Sequence, residues 1–230
     1  MLALRLFYLR LRPLLLALSL GGLLLASWPA WSNWDFDKLL KVAQQKYGAN
    51  AAKTVSEVQN LLGSLKAAAE PDKLKRVNEY FNRKLAFTDD SALWNAPDYW
   101  ATPLETIGKQ AGDCEDFAII KYFALKELGV APEKLRMSYV KAKIGGANST
   151  VTQAHMVLTY YPTPDAEPLI LDNLITDIRP ASRRPDLVPV FSFNQAGIFT
   201  GGGNQPAGSI DRLSRWKDVL LRMQSEGIDF

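Results

Sequence analysis

The sequence holds a single cysteine, Cys114, and a single histidine, His155, in 230 residues. One thiol cannot make an intramolecular disulfide, so a disulfide-stapled fold is excluded. With 47% hydrophobic and 10% aromatic residues, the chain has material for one buried core but is short for two ordinary domains. Long apolar runs are scarce: residues 14–26 come nearest and fall well short of the ~20 needed to span a bilayer. Excess charge is missing as well. The formal net charge of +3 is accounted for by Arg5, Arg10 and Arg12, beyond which acids and bases balance, so composition points to neither nucleic acid nor an anionic membrane. Neither an internal repeat nor a phosphate loop is present, and the glycine run 201–203 reads as a flexible turn.

The N-terminus carries those three arginines, then the apolar run, then Ala30-Trp31-Ser32, small residues at the spacing a signal peptidase reads. Residues 1–32 are expected to be a secretory signal and residues 33–230 one exported domain. An unpaired thiol in an oxidising compartment is a liability unless it is buried or used.

The exported part reads in three stretches. Phe36, Leu39, Leu40, Ala43 and Tyr47 recur at helical spacing up to Gly48; Val55, Val58, Leu61, Leu62 and Leu65 mark a second helix. Leu74, Val77, Tyr80, Phe81 and Leu85 mark a third after Pro71. A polar, aromatic connector over residues 88–103 leads to a short helix at about 103–109 and then to the segment holding Cys114. From Met137 the period shifts towards two, predicting strands in RMSYVKAKI, STVTQAHMVLTYY and EPLILDNLITDI. An irregular stretch is expected after Pro180, then a helix over about 209–226. The fold class is α+β, helices against an antiparallel sheet.

Cys114 lies in AGDCEDFAIIKYFALKELGV, at the first turn of a helix whose apolar face includes Phe117, Ala118, Ile120, Ala124, Leu125 and Leu128. Unsatisfied N–H groups and the helix dipole favour negative charge there, which lowers a thiol pKa and offers donors to an oxyanion. A lone mid-helix Cys is better read as small core filler, but the flanking Asp113, Glu115 and Asp116 argue against an apolar site. Those acids also oppose thiolate formation. Spacing alone favours helix capping by Asp113 over a site for a hard cation such as Ca²⁺, which carboxylates gathered in one turn would also suit.

A thiol nucleophile needs a base, and His155 is the sole imidazole. Alternation puts His155, Val157 and Thr159 on one strand face, with Ala154, Met156, Leu158 and Tyr160 on the other. If HMVLTY and LILDNL pair across YPTPDAE with the turn centred near Pro164, His155 falls directly opposite Asp172, on the same face. Asp172 would then orient the imidazole, with Asn173 the alternative. A Cys on a helix followed by His and Asp on adjacent strands is the papain-like and transglutaminase-like layout.

DYWATPLETIGKQAGDCEDFAIIKYFALKELGV, AHMVLTYY and LILDNL, in that order and with suitable intervening lengths, resemble the bacterial transglutaminase-like cysteine proteinases of the LapG type over about residues 94–178. The resemblance implies Cys114 as nucleophile, His155 as base and Asp172 as orienting acid, with Ca²⁺ as cofactor and Asp113 and Glu115 as its ligands. It also implies a periplasmic endopeptidase that cuts a large surface adhesin after a di-alanine near the adhesin's N-terminus, releasing it and dispersing biofilm. An inner-membrane cyclic di-GMP receptor sequesters such proteases. Acyl transfer to an amine, as in true transglutaminases, uses the same three residues; a non-catalytic binding module on the same fold would have no need of all three.

Overall fold

The computed structural model describes residues 33–200, 203 and 205–230. The expected secretory signal and most of the 201–203 run lie outside them. Strand β1 (Asn33–Trp34) is followed by α1 (Phe36–Tyr47), α2 (Ala49–Leu65) and α3 (Glu70–Lys84). Asp35 caps α1 by accepting the Lys38 N–H at 3.0 Å, and Gly48, at φ 86°, turns the chain directly into α2. After β2 (Ala86–Phe87), the polar, aromatic connector contains a one-turn helix, α4 (Asp90–Leu93). Helix α5 (Pro103–Lys109) starts where Pro103 and a reciprocal cap place it: Thr102 Oγ1 accepts the Glu105 N–H at 3.1 Å, and Glu105 accepts the Thr102 N–H at 2.8 Å. Gln110, in the left-handed region, bends the chain into β3 (Ala111–Gly112), which pairs in parallel with β2 and leads into α6 (Cys114–Glu127).

The sheet has six antiparallel strands in the order β7-β6-β5-β4-β8-β9, comprising β4 (Leu135–Lys143), β5 (Thr152–Tyr160), β6 (Leu169–Leu171), β7 (Arg179–Pro180), β8 (Leu187–Asn194) and β9 (Gly197–Thr200). Two expectations are corrected here. The third expected strand is only three residues long, because the chain leaves the sheet after Leu171 and rejoins it at Arg179. The stretch after Pro180 is not irregular: it supplies β8 and β9. Pro189 weakens the strand signal in LVPVFSFN, since it cannot donate to a ladder; it is accommodated where the β4–β8 register shifts between Tyr139 and Val140. The last helix, α7 (Ser214–Glu226), starts after a short 3₁₀ turn, and β10 (Ile228–Asp229) closes the chain against β1.

Helix α6 was expected to be apolar on one face and is instead buried on all sides from Asp116 to Lys126. It runs through the middle of the molecule, packed on β5 and β4 and backed by α3 and α5. Phe123 of α6 stacks on Trp216 of α7 at 5.5 Å, and Trp216 meets Phe193 of β8 edge-on at 5.4 Å. Such pairs contribute about 0.5–1.5 kcal/mol each beyond area burial and tie the central helix to the sheet. Met156, Leu158 and Tyr160 of β5 join this core, while Val157 joins Val140 and Ile170 in a separate cluster, as the alternation predicts.

Candidate active site

The first turn of α6 holds the thiol in place through its neighbours. Asp113 is the N-cap residue and Cys114 the first helical one. The fully buried carboxylate of Asp116 reaches back to the Asp113 N–H at 3.3 Å and accepts the Ala101 N–H at 2.7 Å. Gly112 permits that approach, because a Cβ there would lie 2.6 Å from the Asp116 side chain. The Ala101 segment is anchored in turn by Arg222, whose guanidinium binds Glu105 and the Trp100 carbonyl, and by Thr102 Oγ1 donating to buried Glu226 at 2.6 Å. Trp100 is thereby held at the wall of a cleft of about 430 Å³ that Cys114, His155, Tyr139 and Phe191 also line.

On the opposite wall, His155 Nε2 lies 2.8 Å from Asp172 Oδ1. The two residues meet, but not in the expected register. The β5–β6 ladder pairs Leu158 with Leu171, so Asp172 falls beyond its last pair and is two positions away from facing His155 directly. A two-residue shift preserves the strand face, and the bond forms diagonally across the ladder. Asp172 is fully buried: Oδ1 also accepts the Leu174 N–H at 3.0 Å, and Oδ2 accepts from Arg184 at 2.7 Å. Burial would raise its pKa, but the bond and charge of His155, with Leu174 and Arg184, outweigh that and hold it at about 2. A carboxylate can only accept, so Nε2 carries the proton and Nδ1 is left as the basic nitrogen. Asn173 does not take this place.

Around the thiol the electrostatics run the other way. Burial pushes the Cys114 pKa up, Glu115 and Asp113 add to it, and the Met156 backbone is the one lowering contribution. The thiol donates to Glu115 Oε2 at 3.0 Å. The expected lowering by the helix terminus is thus overturned by desolvation and like charge.

Acidic residues gather on this side. One ligand oxygen from each of Asp90, Asp113 and Asp116 lies within 4.8 Å of the others, and Asp90, Asp98 and Glu115 form a second such group. Burial, then Glu115, Asp116 and Asp90, raises Asp113 to about 9; burial is also first among the causes that raise Asp90 and Asp116. Asp90 Oδ1 and Asp113 Oδ1 are buried without hydrogen-bond partners. Hard oxygen donors crowded together, two of them orphaned, fit a hard divalent cation. Asp113 falls in the first of these groups and Glu115 in the second. Asp90 was missed: it lies in α4, and no spacing in the sequence links it to α6.

The description of the family whose model matches residues 44–185 is bacterial transglutaminase-like cysteine proteinase, BTLCP. Among solved structures, Legionella pneumophila LapG is similar at 41% identity and TM-score 0.69, covering 82% of this chain and 97% of that one. Its EGTA-treated form gives TM-score 0.71 and its calcium-bound form 0.69, at the same identity. No curated protein matches. Both the family match, running from α1 past the Asp172 loop, and the shared fold place this chain among the bacterial transglutaminase-like cysteine proteinases, as a LapG-like member.

Proposed function

We propose that the chain is an exported, calcium-dependent cysteine endopeptidase of the Gram-negative periplasm. Its substrate is a large surface adhesin, cut after paired alanines near the adhesin's N-terminus, so that the adhesin is released and biofilm disperses; an inner-membrane cyclic di-GMP receptor sequesters the enzyme. The observation that carries the catalytic part is the His155–Asp172 hydrogen bond in the same cleft as a helix-terminal thiol. Trp100 and the stacked pair Tyr139–Phe191, with ring centroids 5.4 Å apart, give the cleft aromatic walls.

In this reading Cys114 is the nucleophile, and His155 Nδ1 accepts the thiol proton while Asp172 steadies the imidazolium. The thiolate adds to the peptide carbonyl, and the Cys114 N–H, in the first turn of α6, donates to the oxyanion. Collapse breaks the C–N bond as His155 returns its proton to the leaving amine. Water, deprotonated by His155, then hydrolyses the thioester and regenerates the thiol. Asp113 and Glu115 would hold calcium, with Asp90 and Asp116 beside them. Bound calcium would supply positive charge that offsets the carboxylates around the thiol.

The test incubates the chain with the N-terminal segment of a candidate adhesin from the same genome, with and without excess chelator, and reads intact masses. One cut after paired alanines, prevented by chelator and restored by calcium, is expected. Cutting that chelator leaves untouched would remove the metal from the proposal. Chains joined with loss of ammonia would replace hydrolysis by acyl transfer.

A further inference from the structure

Arg184 follows the 3₁₀ turn after β7 (Ala181–Arg183) and is 2% exposed, which is rare for an arginine and demands a purpose for its charge. Its Nη2 donates to Asp172 Oδ2 at 2.7 Å. The same guanidinium is clamped by Asp186, with Nε 3.0 Å from Oδ1 and Nη2 2.8 Å from Oδ2. Asp186 is partly exposed, so the chain of groups runs from the surface through Arg184 and Asp172 to His155 without a break.

We propose that Arg184 is a positioning residue of the active site: anchored by Asp186, it fixes the Asp172 carboxylate so that Oδ1 faces His155 and the imidazole keeps its proton on Nε2. The physical need is plain. A fully buried carboxylate held only through Oδ1, by His155 and the Leu174 N–H, can rotate, or can take up a proton on Oδ2 and become a donor itself. Rotation loosens the hold on the Nε2 proton, and a protonated carboxyl that donates to Nε2 leaves Nδ1 as the protonated nitrogen and removes the base. The bond to Arg184 opposes both, because a guanidinium stays charged and binds the oxygen that His155 does not use.

Another cation also faces Asp172, and it cannot do this work. The Lys121 ammonium of α6 interacts with Asp172 across the core, but its Nζ has no hydrogen-bond partner and burial lowers its pKa to about 7. Arg184 is therefore the cation that makes a directed bond and keeps its charge across the working range. Asn82 completes the support by donating from Nδ2 to the Asp172 carbonyl at 2.6 Å, which holds the backbone but leaves the carboxylate to Arg184.

The inference rests on Cys114, His155 and Asp172 acting together, but its main readout needs no turnover. His155 is the sole histidine, so the imidazole signals of the untagged, ¹⁵N-labelled chain belong to one residue. In the wild type the Nε2–H resonance should be shifted downfield and slow to exchange. Arg184→Met should lose that resonance and drop kcat by about 100-fold with KM within about twofold, the scale of a misplaced catalytic group. Arg184→Lys, which can still reach Asp172, should recover the resonance and most of the rate. If Arg184→Met fails to fold by thermal melting, Asp186→Asn decides, since it leaves the arginine in place but frees it; weakened Nε2–H protection and an intermediate kcat are expected. A folded variant that keeps both the resonance and kcat would overturn the proposal, as would a rate loss matching the unfolded fraction that Arg184→Lys does not relieve. A wild type with the protected Nε2–H but no proteolysis would refute the protease reading and leave this one standing.

Discussion

The thiol of Cys114 sits between two sets of buried carboxylates that the chain treats in opposite ways. On the β5 side, Asp172 is surrounded by donors that the protein supplies itself: His155, Arg184 and the Leu174 N–H, which hold it ionised at about 2. On the α4–α6 side, Asp90, Asp113 and Asp116 accept only backbone N–H groups, from Tyr99, Ala101 and their own turn, and have orphaned oxygens and raised pKa values. Both sets meet the cost of burying charge, one with internal cations and the other by staying protonated or by taking a cation from solution. A site built this way is complete in one half and conditional in the other. A protease that must be idle until calcium is present would be organised so.

The difference predicts unequal responses to substitution. Cys114→Ala should end cleavage altogether while leaving thermal unfolding nearly unchanged, checked by intact-mass assay and circular dichroism. Asp172→Asn keeps the shape but lets the amide donate to Nε2, so kcat should fall by about 10⁴-fold at any calcium concentration. Chelation should abolish cleavage reversibly. Asp113→Asn or Glu115→Gln should remove calcium binding in isothermal titration and leave an inactive chain even with calcium in excess.

Smaller effects distinguish the two sides by the sign of their pH dependence. Asp113 has a folded pKa near 9, above its ordinary 3.8, so the chelated folded state binds more protons than the unfolded one between those values. Stability should therefore fall as pH rises from about 4 to about 9, and saturating calcium should remove that slope in melts across pH. Asp172, shifted down to about 2, works the other way: its contribution is present above its unfolded pKa and is lost as pH falls through 2. Smallest of all, Asp90→Asn replaces an acid whose ionisation burial opposes and should raise the chelated melting temperature by about 2–4 °C, while lowering it in calcium.

Periodicity made α1, α2 and α3 legible through their apolar stripes and a stop signal such as Gly48, and Pro103 marked the start of α5. It failed at β8, where Pro189 interrupts the alternation, and at α4, whose single turn is too short to show a period. For α6 the stripe was read too narrowly: Lys121 and Lys126 look like a solvated face in the sequence, yet both are buried.

The meeting of His155 and Asp172 in a cleft shared with Cys114 was legible in the sequence, because the thiol and imidazole are unique and strand parity ties His155 to Asp172 even when the register is misjudged by two. What surrounds them belongs to the tertiary structure. Asp90 joins Asp113 and Asp116 because α4 packs against β3, the strand that leads into α6, and Arg184 reaches Asp172 because the chain leaves the sheet after β6 and returns through β7. Local sequence encodes periodicity and reactivity, both properties of a few adjacent residues. The charge environment of a buried group is set by elements distant in the chain, and only their packing determines whether a carboxylate finds an arginine or another carboxylate.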